Sequence, residues 1–156
     1  MNSKFKIELY QSGKKASLYT VRLAGESETE FDKFLSDPEI TSNPEFDAFL
    51  SRINDILNKY GCQKRFFKLK ESKLTDAVAA LWRGKIRLYC CRYSDIIIIV
   101  GSGGIKQTRS YQDDPKLNHI VKLMAEVSMK MDEKIHNKEI KYKENKFVGN
   151  LDFTED

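Results

Sequence analysis

Histidine is nearly missing from this chain: His119 and His136 are the two in 156 residues, 17 positions apart, with no cysteine or acid at ligand spacing. That excludes the usual zinc patterns and leaves metal chemistry without support. Cysteine is sparse too, at three, and Cys90 and Cys91 are adjacent. On a strand, neighbours point to opposite faces, so this pair suits neither a shared metal nor a disulfide. Long apolar stretches are absent as well. The run Ile96 to Val100 is far too short to cross a bilayer, and Met1 to Lys6 lacks the apolar core of a signal peptide. No repeat or low-complexity tract occurs. The expectation is a single soluble domain over residues 1–156 in a reducing, bacterial cytoplasm, with its core at about 17–135. A domain of this length needs neither disulfides nor metal to fold.

What is present in quantity is charge, unevenly spread. The net charge of +4 hides a segregated sequence. Residues 26–58 carry nine acids against two bases, a net of −7. Residues 59–111 carry twelve bases against three acids, a net of +9. Such asymmetry points towards nucleic acid, or else towards two faces that attract each other across the fold.

Hydrophobic periodicity supplies the elements. Residues 4–10 and 18–23 alternate as two strands around the loop Gln11-Ser12-Gly13-Lys14-Lys15. Ser27 and Glu30 match a capping box for a short helix that Pro38 stops. Asn43-Pro44 starts a second helix whose apolar stripe runs from Phe46 to Tyr60, closed by Gly61. The stretch 62–82 stays open: Phe66, Phe67 and Leu69 suit a crossing segment or strand, and Thr75 to Leu81 suits helix or strand. Ile86–Tyr93 and Ile96–Val100 form a hairpin turning at Ser94-Asp95, and Ile105–Tyr111 reads as a further extended piece. Asp114-Pro115 opens a long helix striped from Leu117 to Ile135, and a weak strand lies within the tail 137–156. Strands joined by hairpins and grouped apart from helices predict an α+β domain. Its mostly antiparallel sheet would pack against two N-terminal helices and one long C-terminal helix.

Gly101-Ser102-Gly103-Gly104 fits no nucleotide loop. The dinucleotide pattern needs glycine where Lys106 stands, and the P-loop needs Gly-Lys-Ser/Thr. A bulge or bend is the expected use. The basic residues carry more chemistry. Arg83, Lys85 and Arg87 are spaced by two, so one strand would project all three from one face, with Tyr89 continuing the row. Lys106, Arg109 and Tyr111 follow the next strand. In a three-stranded meander the two groups would share one surface, cations gripping phosphates and tyrosine stacking on a base.

From Ala80 to Thr108 the sequence "ALWRGKIRLYCCRYSDIIIIVGSGGIKQT", with the helix from Pro115, resembles the RelE/ParE superfamily of bacterial toxins, notably its HigB-like and phage-derived members. The resemblance rests on Arg87-Leu88-Tyr89, Asp95, Ile96 to Val100 and Lys106-Gln107-Thr108, and covers about residues 17–135. It departs from the family in the added strand 4–10, the added tail and Gln107 in place of a second cation. It implies a RelE-like fold and a cofactor-free, metal-independent endoribonuclease that cuts mRNA on the ribosome and is held by a cognate antitoxin protein. Lys85 or Lys106 would move the proton, Arg87 and Arg109 would stabilise the phosphorane, and Tyr111 would stack or aid proton transfer. Arg83, Lys68, Lys70 and Tyr89 would contact RNA. The alternatives are a gyrase-inhibitor-like toxin and a non-catalytic interaction module.

Overall fold

The computed structural model describes residues 2–72 and 75–155; Met1 and Asp156, the two ends of the expected domain, lie outside them. Two alternating segments form the opening hairpin, β1 (Phe5–Ser12) and β2 (Ser17–Leu23). Three helical pieces follow: α1 (Glu30–Ser36), α2 (Pro38–Thr41) and α3 (Phe46–Asp55), the last continued by a π turn over Ile56–Tyr60. The chain then lays down β3 (Phe67–Lys68), β4 (Val78–Arg83), β5 (Ile86–Arg92) and β6 (Ile97–Ile105). A long helix, α4 (Pro115–His136), and a small hairpin, β7 (Ile140–Lys143) with β8 (Lys146–Gly149), complete it.

The local signals explain most boundaries. Asp114 caps α4, its side chain accepting from the backbone N–H groups of Lys116 and Leu117, with Pro115 in the first turn. The capping box of α1 lies two residues beyond the expected one: Thr29 and Asp32 close it reciprocally. Asn43 does not cap α3; its Oδ1 accepts from Glu45 N in the preceding turn.

The expected sheet is corrected. Six strands run in the order β1-β2-β6-β5-β4-β3, and β2 lies parallel to β6, pairing Ser17 with Ile97 through Thr20 with Val100. The sheet is therefore mixed, not built on hairpins alone, and it does not rest on two N-terminal helices beside a third. The physical reason lies in β6, which arrives last and inserts between β2 and β5. Its side chains are buried along all nine positions because both faces are covered. On one face Phe31, Phe34, Phe49, Leu57 and Phe66 pack over Leu18, Leu88, Ile98 and Val100. On the other, α4 brings Leu117, Val121, Met124 and Val127 over Tyr19, Cys91, Ile97 and Ile99. Thr20 ties the layers, donating to Val100 O at 2.9 Å while accepting from Phe31 N at 3.2 Å.

The expected extended piece Ile105–Tyr111 is absorbed differently. Ile105 is the last residue of β6, and Tyr111–Asp113 form a 3-10 turn. The glycine cluster lies inside β6 as the bulge the sequence suggested: Leu88 pairs with Gly103 and Cys90 with Val100, so Gly101 and Ser102 together oppose Tyr89. Gly103 is required by packing, since a Cβ there would sit 1.8 Å from the backbone carbonyl oxygen of Arg87.

Candidate functional site

The turn between β4 and β5 is two residues, Gly84-Lys85, with Gly84 at φ +55°, and it divides the row of basic residues. Arg83 ends β4 and turns towards the α1–α3 face, where its Nε donates to Glu45 at 2.5 Å. Arg87, beyond the turn, belongs to the α4 face with its register partners Trp82 and Gly104. The expectation that Arg83, Lys85 and Arg87 share one strand face is thus corrected: the turn reverses the chain after Arg83.

On the α4 face a cluster does form. Trp82 is half-buried, and two cations from different strands lie against its ring. Lys68 Nζ of β3 is 4.5 Å from the ring centroid, and Arg87 Cζ of β5 is 5.8 Å away. Arg87 is only 9% exposed. Its Nη1 donates to the carbonyls of Gly84 at 2.7 Å and Ile86 at 3.0 Å, whereas its buried Nε has no hydrogen-bond partner among the described residues. Burial pushes the Arg87 guanidinium down from its ordinary range, opposed by the nearby Glu71 carboxylate. Lys85 and Lys106 stand opposite each other at the end of the β5–β6 ladder, where Lys106 N donates to Lys85 O at 2.8 Å. Among the described residues, no carboxylate forms an ion pair with Lys68, Lys85, Lys106 or Arg109.

The other expected residues lie elsewhere. Lys70 is exposed in the loop after β3 at φ +58°, and Arg109 is exposed in the loop between β6 and the 3-10 turn. Tyr89 and Tyr111 are 1% and 4% exposed, built into the core beneath α4, so neither offers an open ring to a base. Burial raises the Tyr89 hydroxyl well above its ordinary value. The aromatic platform is instead Trp82, which the reading of the basic row passed over. The missed signal was its position immediately before Arg83, on the strand that pairs with Arg87.

Other chemistries find little footing. Cys62, Cys90 and Cys91 are buried free thiols, Cys62 and Cys91 pushed up to about 12 by burial. Among the described residues no three His, Cys, Asp or Glu side chains gather as a metal site, and no helix is long and apolar enough to cross a membrane. The first amides of α4 are occupied by Asp114, so that helix end does not offer open donors to a phosphate.

Comparison with known proteins finds no matching family model, no matching curated protein and no matching solved structure.

Proposed function

We propose that this protein binds single-stranded RNA across the Lys68–Trp82–Arg87 face and acts on it as a metal-independent endoribonuclease of the bacterial toxin class. The observation that carries this reading is the tryptophan ring with Lys68 and Arg87 against it, brought there by different strands. A ring beside unpaired cations matches the needs of a nucleotide: a π surface for its base, positive charge for its phosphate. Lys85 and Lys106 continue the positive charge to the open end of the sheet.

Cleavage then runs between those two lysines. One accepts the proton of a 2′-hydroxyl as its oxygen attacks the adjacent phosphorus. Arg87 and the second lysine stabilise the phosphorane, and a lysine ammonium returns a proton to the departing 5′-oxygen. The products are a 2′,3′-cyclic phosphate and a 5′-hydroxyl, with no oxidant or metal required. The partners are mRNA on the ribosome and an antitoxin protein that restrains the activity.

A second reading, a non-catalytic RNA-binding module, is favoured by one observation: Tyr111 and most of Arg87 are buried, which leaves lysine alone for proton transfer. Brief induction followed by mapping of cellular RNA 5′ ends separates the two. New 5′-hydroxyl ends within reading frames are expected from the wild type and not from Lys85→Ala/Lys106→Ala. Growth arrest without new RNA ends would overturn the nuclease reading.

A further inference from the structure

A second cation–aromatic assembly lies at the other end of β3, on the α1–α3 face. Arg65 Cζ stands 4.2 Å over the Phe66 ring and 5.3 Å from the Tyr60 ring, and Arg52 Cζ is 5.8 Å from Phe66. The two rings are 5.7 Å apart at 38°. Phe66 is buried, but Tyr60 is 45% exposed.

The assembly is held rigidly. Gln63 accepts from Arg65 Nε at 2.7 Å and donates from its own amide to Tyr60 O at 2.9 Å, fixing the guanidinium plane over the rings. The backbone beneath is locked to the β5–β6 turn: Cys62 N donates to Asp95 O at 2.6 Å, and a Cβ on Gly61 would meet that same carbonyl at 2.7 Å. The π turn ending at Tyr60 is what delivers this ring to the surface. Among the described residues no carboxylate pairs with Arg52, Lys64 or Arg65; Lys59 alone in this cluster has one, Asp55 at 3.5 Å.

From Arg65, in the 3-10 turn Lys64–Phe66, the chain enters β3 and reaches Lys68, on the Trp82 ring, three residues later. Because β3 is the edge of the sheet, the two assemblies face opposite sides and meet around that edge, with Lys64, Arg65, Lys68 and Lys70 between them.

We propose that Tyr60, Arg65 and Phe66 form a second stacking platform, and that one RNA single strand passes round the β3 edge to touch both. This deepens the RNA reading and rests on it. A guanidinium anchored over aromatic rings, its Cζ 4.2 Å from the Phe66 centroid, offers a planar face to an unstacked base and its Nη groups to the adjoining phosphate. An acidic peptide would use the charge but not the plane.

The test is fluorescence anisotropy with labelled single-stranded RNA of about four and about twelve nucleotides. Arg65→Ala is expected to weaken binding of the longer RNA about ten-fold and leave the shorter unchanged, because only the longer strand reaches round the edge. Arg65→Lys, which keeps the charge and loses the plane, is expected to recover less than half of that loss in log affinity. Thermal melting of each variant reads folding separately. Unchanged affinity for the longer RNA would overturn the second platform, as would equal losses at both lengths or full rescue by lysine. Competition by polyglutamate that is equally strong for wild type and Arg65→Lys would assign the patch to an acidic protein. A wild type that binds neither RNA would instead overturn the function proposed above.

Discussion

Salt dependence separates the electrostatic part of the proposed site from its stacking part, and the structure fixes how large each should be. Four cations, Lys68, Lys85, Arg87 and Lys106, lie on or at the end of the Trp82 face. For a single strand, each phosphate neutralised contributes about −0.7 to the slope of log affinity against log salt, so full engagement predicts a slope near −3. Lys85 is exposed and Lys106 half-buried, and neither belongs to the apolar clusters of the core. Replacing both with alanine should therefore flatten the slope by about 1.4 while leaving the melting temperature within a few degrees. Trp82→Ala should behave differently. It removes a base stack of about 1–3 kcal/mol, roughly a five- to 150-fold loss, with little change in slope because no cation is deleted.

The assay is a titration of labelled RNA of about four nucleotides, confined to the Trp82 face, between about 50 and 200 mM salt, the range over which counterion release is well expressed. An unchanged slope in the double lysine variant would refute the assignment of those side chains to phosphate. An unchanged affinity in Trp82→Ala would refute the ring as a platform, whatever the slope does.

Arg83 supplies the contrast: bound to Glu45 on the opposite face, which the short RNA does not reach, Arg83→Ala should leave the affinity of that RNA within about two-fold, and a double-mutant cycle with Glu45→Ala should give only about 0.2–1 kcal/mol of coupling, since the two side chains are 39% and 47% exposed. Phe153 is 6% exposed and stacks on Phe5 at 4.9 Å, so Phe153→Ala should cost about 3 kcal/mol in urea unfolding; a loss below about 1 kcal/mol would show that this ring is dispensable to the core. Asp32 is held below the ordinary carboxylate range, first by the Thr29 backbone N–H it accepts, with burial opposing. A carboxylate depressed on folding stabilises above its unfolded value and loses that contribution as pH falls through the folded one. The melting difference between wild type and Asp32→Ala should therefore be full at neutral pH and close on acidification below the usual carboxylate range; a difference that persists there would refute the cap as its source.

Local chemistry made much of the fold readable. The Asp114-Pro115 cap, the 3.6-residue stripe from Leu117 onwards and the opposite facing of Cys90 and Cys91 all follow from rules that act within a few residues, and each appears in the structure. What resisted reading was non-local. Nothing near Ser17–Thr20 announces a parallel partner 80 residues away at Ile97–Val100. The uninterrupted run Ile96 to Val100 held the clue, because a strand with no polar side must be covered on both faces and so sits inside a sheet. At the site, spacing by two placed Arg83 with Arg87 only while the intervening Gly84-Lys85 was read as strand; the positive φ at Gly84 reverses the chain and sends Arg83 to the other face. The tyrosines were misjudged for a related reason. Periodicity reports that Tyr89 alternates along β5, but whether its face meets solvent or α4 depends on where the helix that begins at Pro115 comes to rest.

The segregated charge is in part consumed by ion pairs within the fold. Arg83 of β4 meets Glu45 at the start of α3, Arg92 pairs with Asp95 at the β5–β6 turn, and Lys116 of α4 reaches Asp37. The first two remove from the positive segment cations that a charge count would credit to a ligand. Within residues 59–111, the described bases left without a carboxylate ion pair are Lys64, Arg65, Lys68, Lys70, Lys85, Arg87, Lys106 and Arg109. Arg87 sharpens the point, since a guanidinium nine-tenths buried with an unpartnered Nε costs stability that a methionine in its place would not. A phosphate of the proposed RNA would complete that hydrogen bonding. Net charge alone could not have located that group; pairing, resolved residue by residue, does.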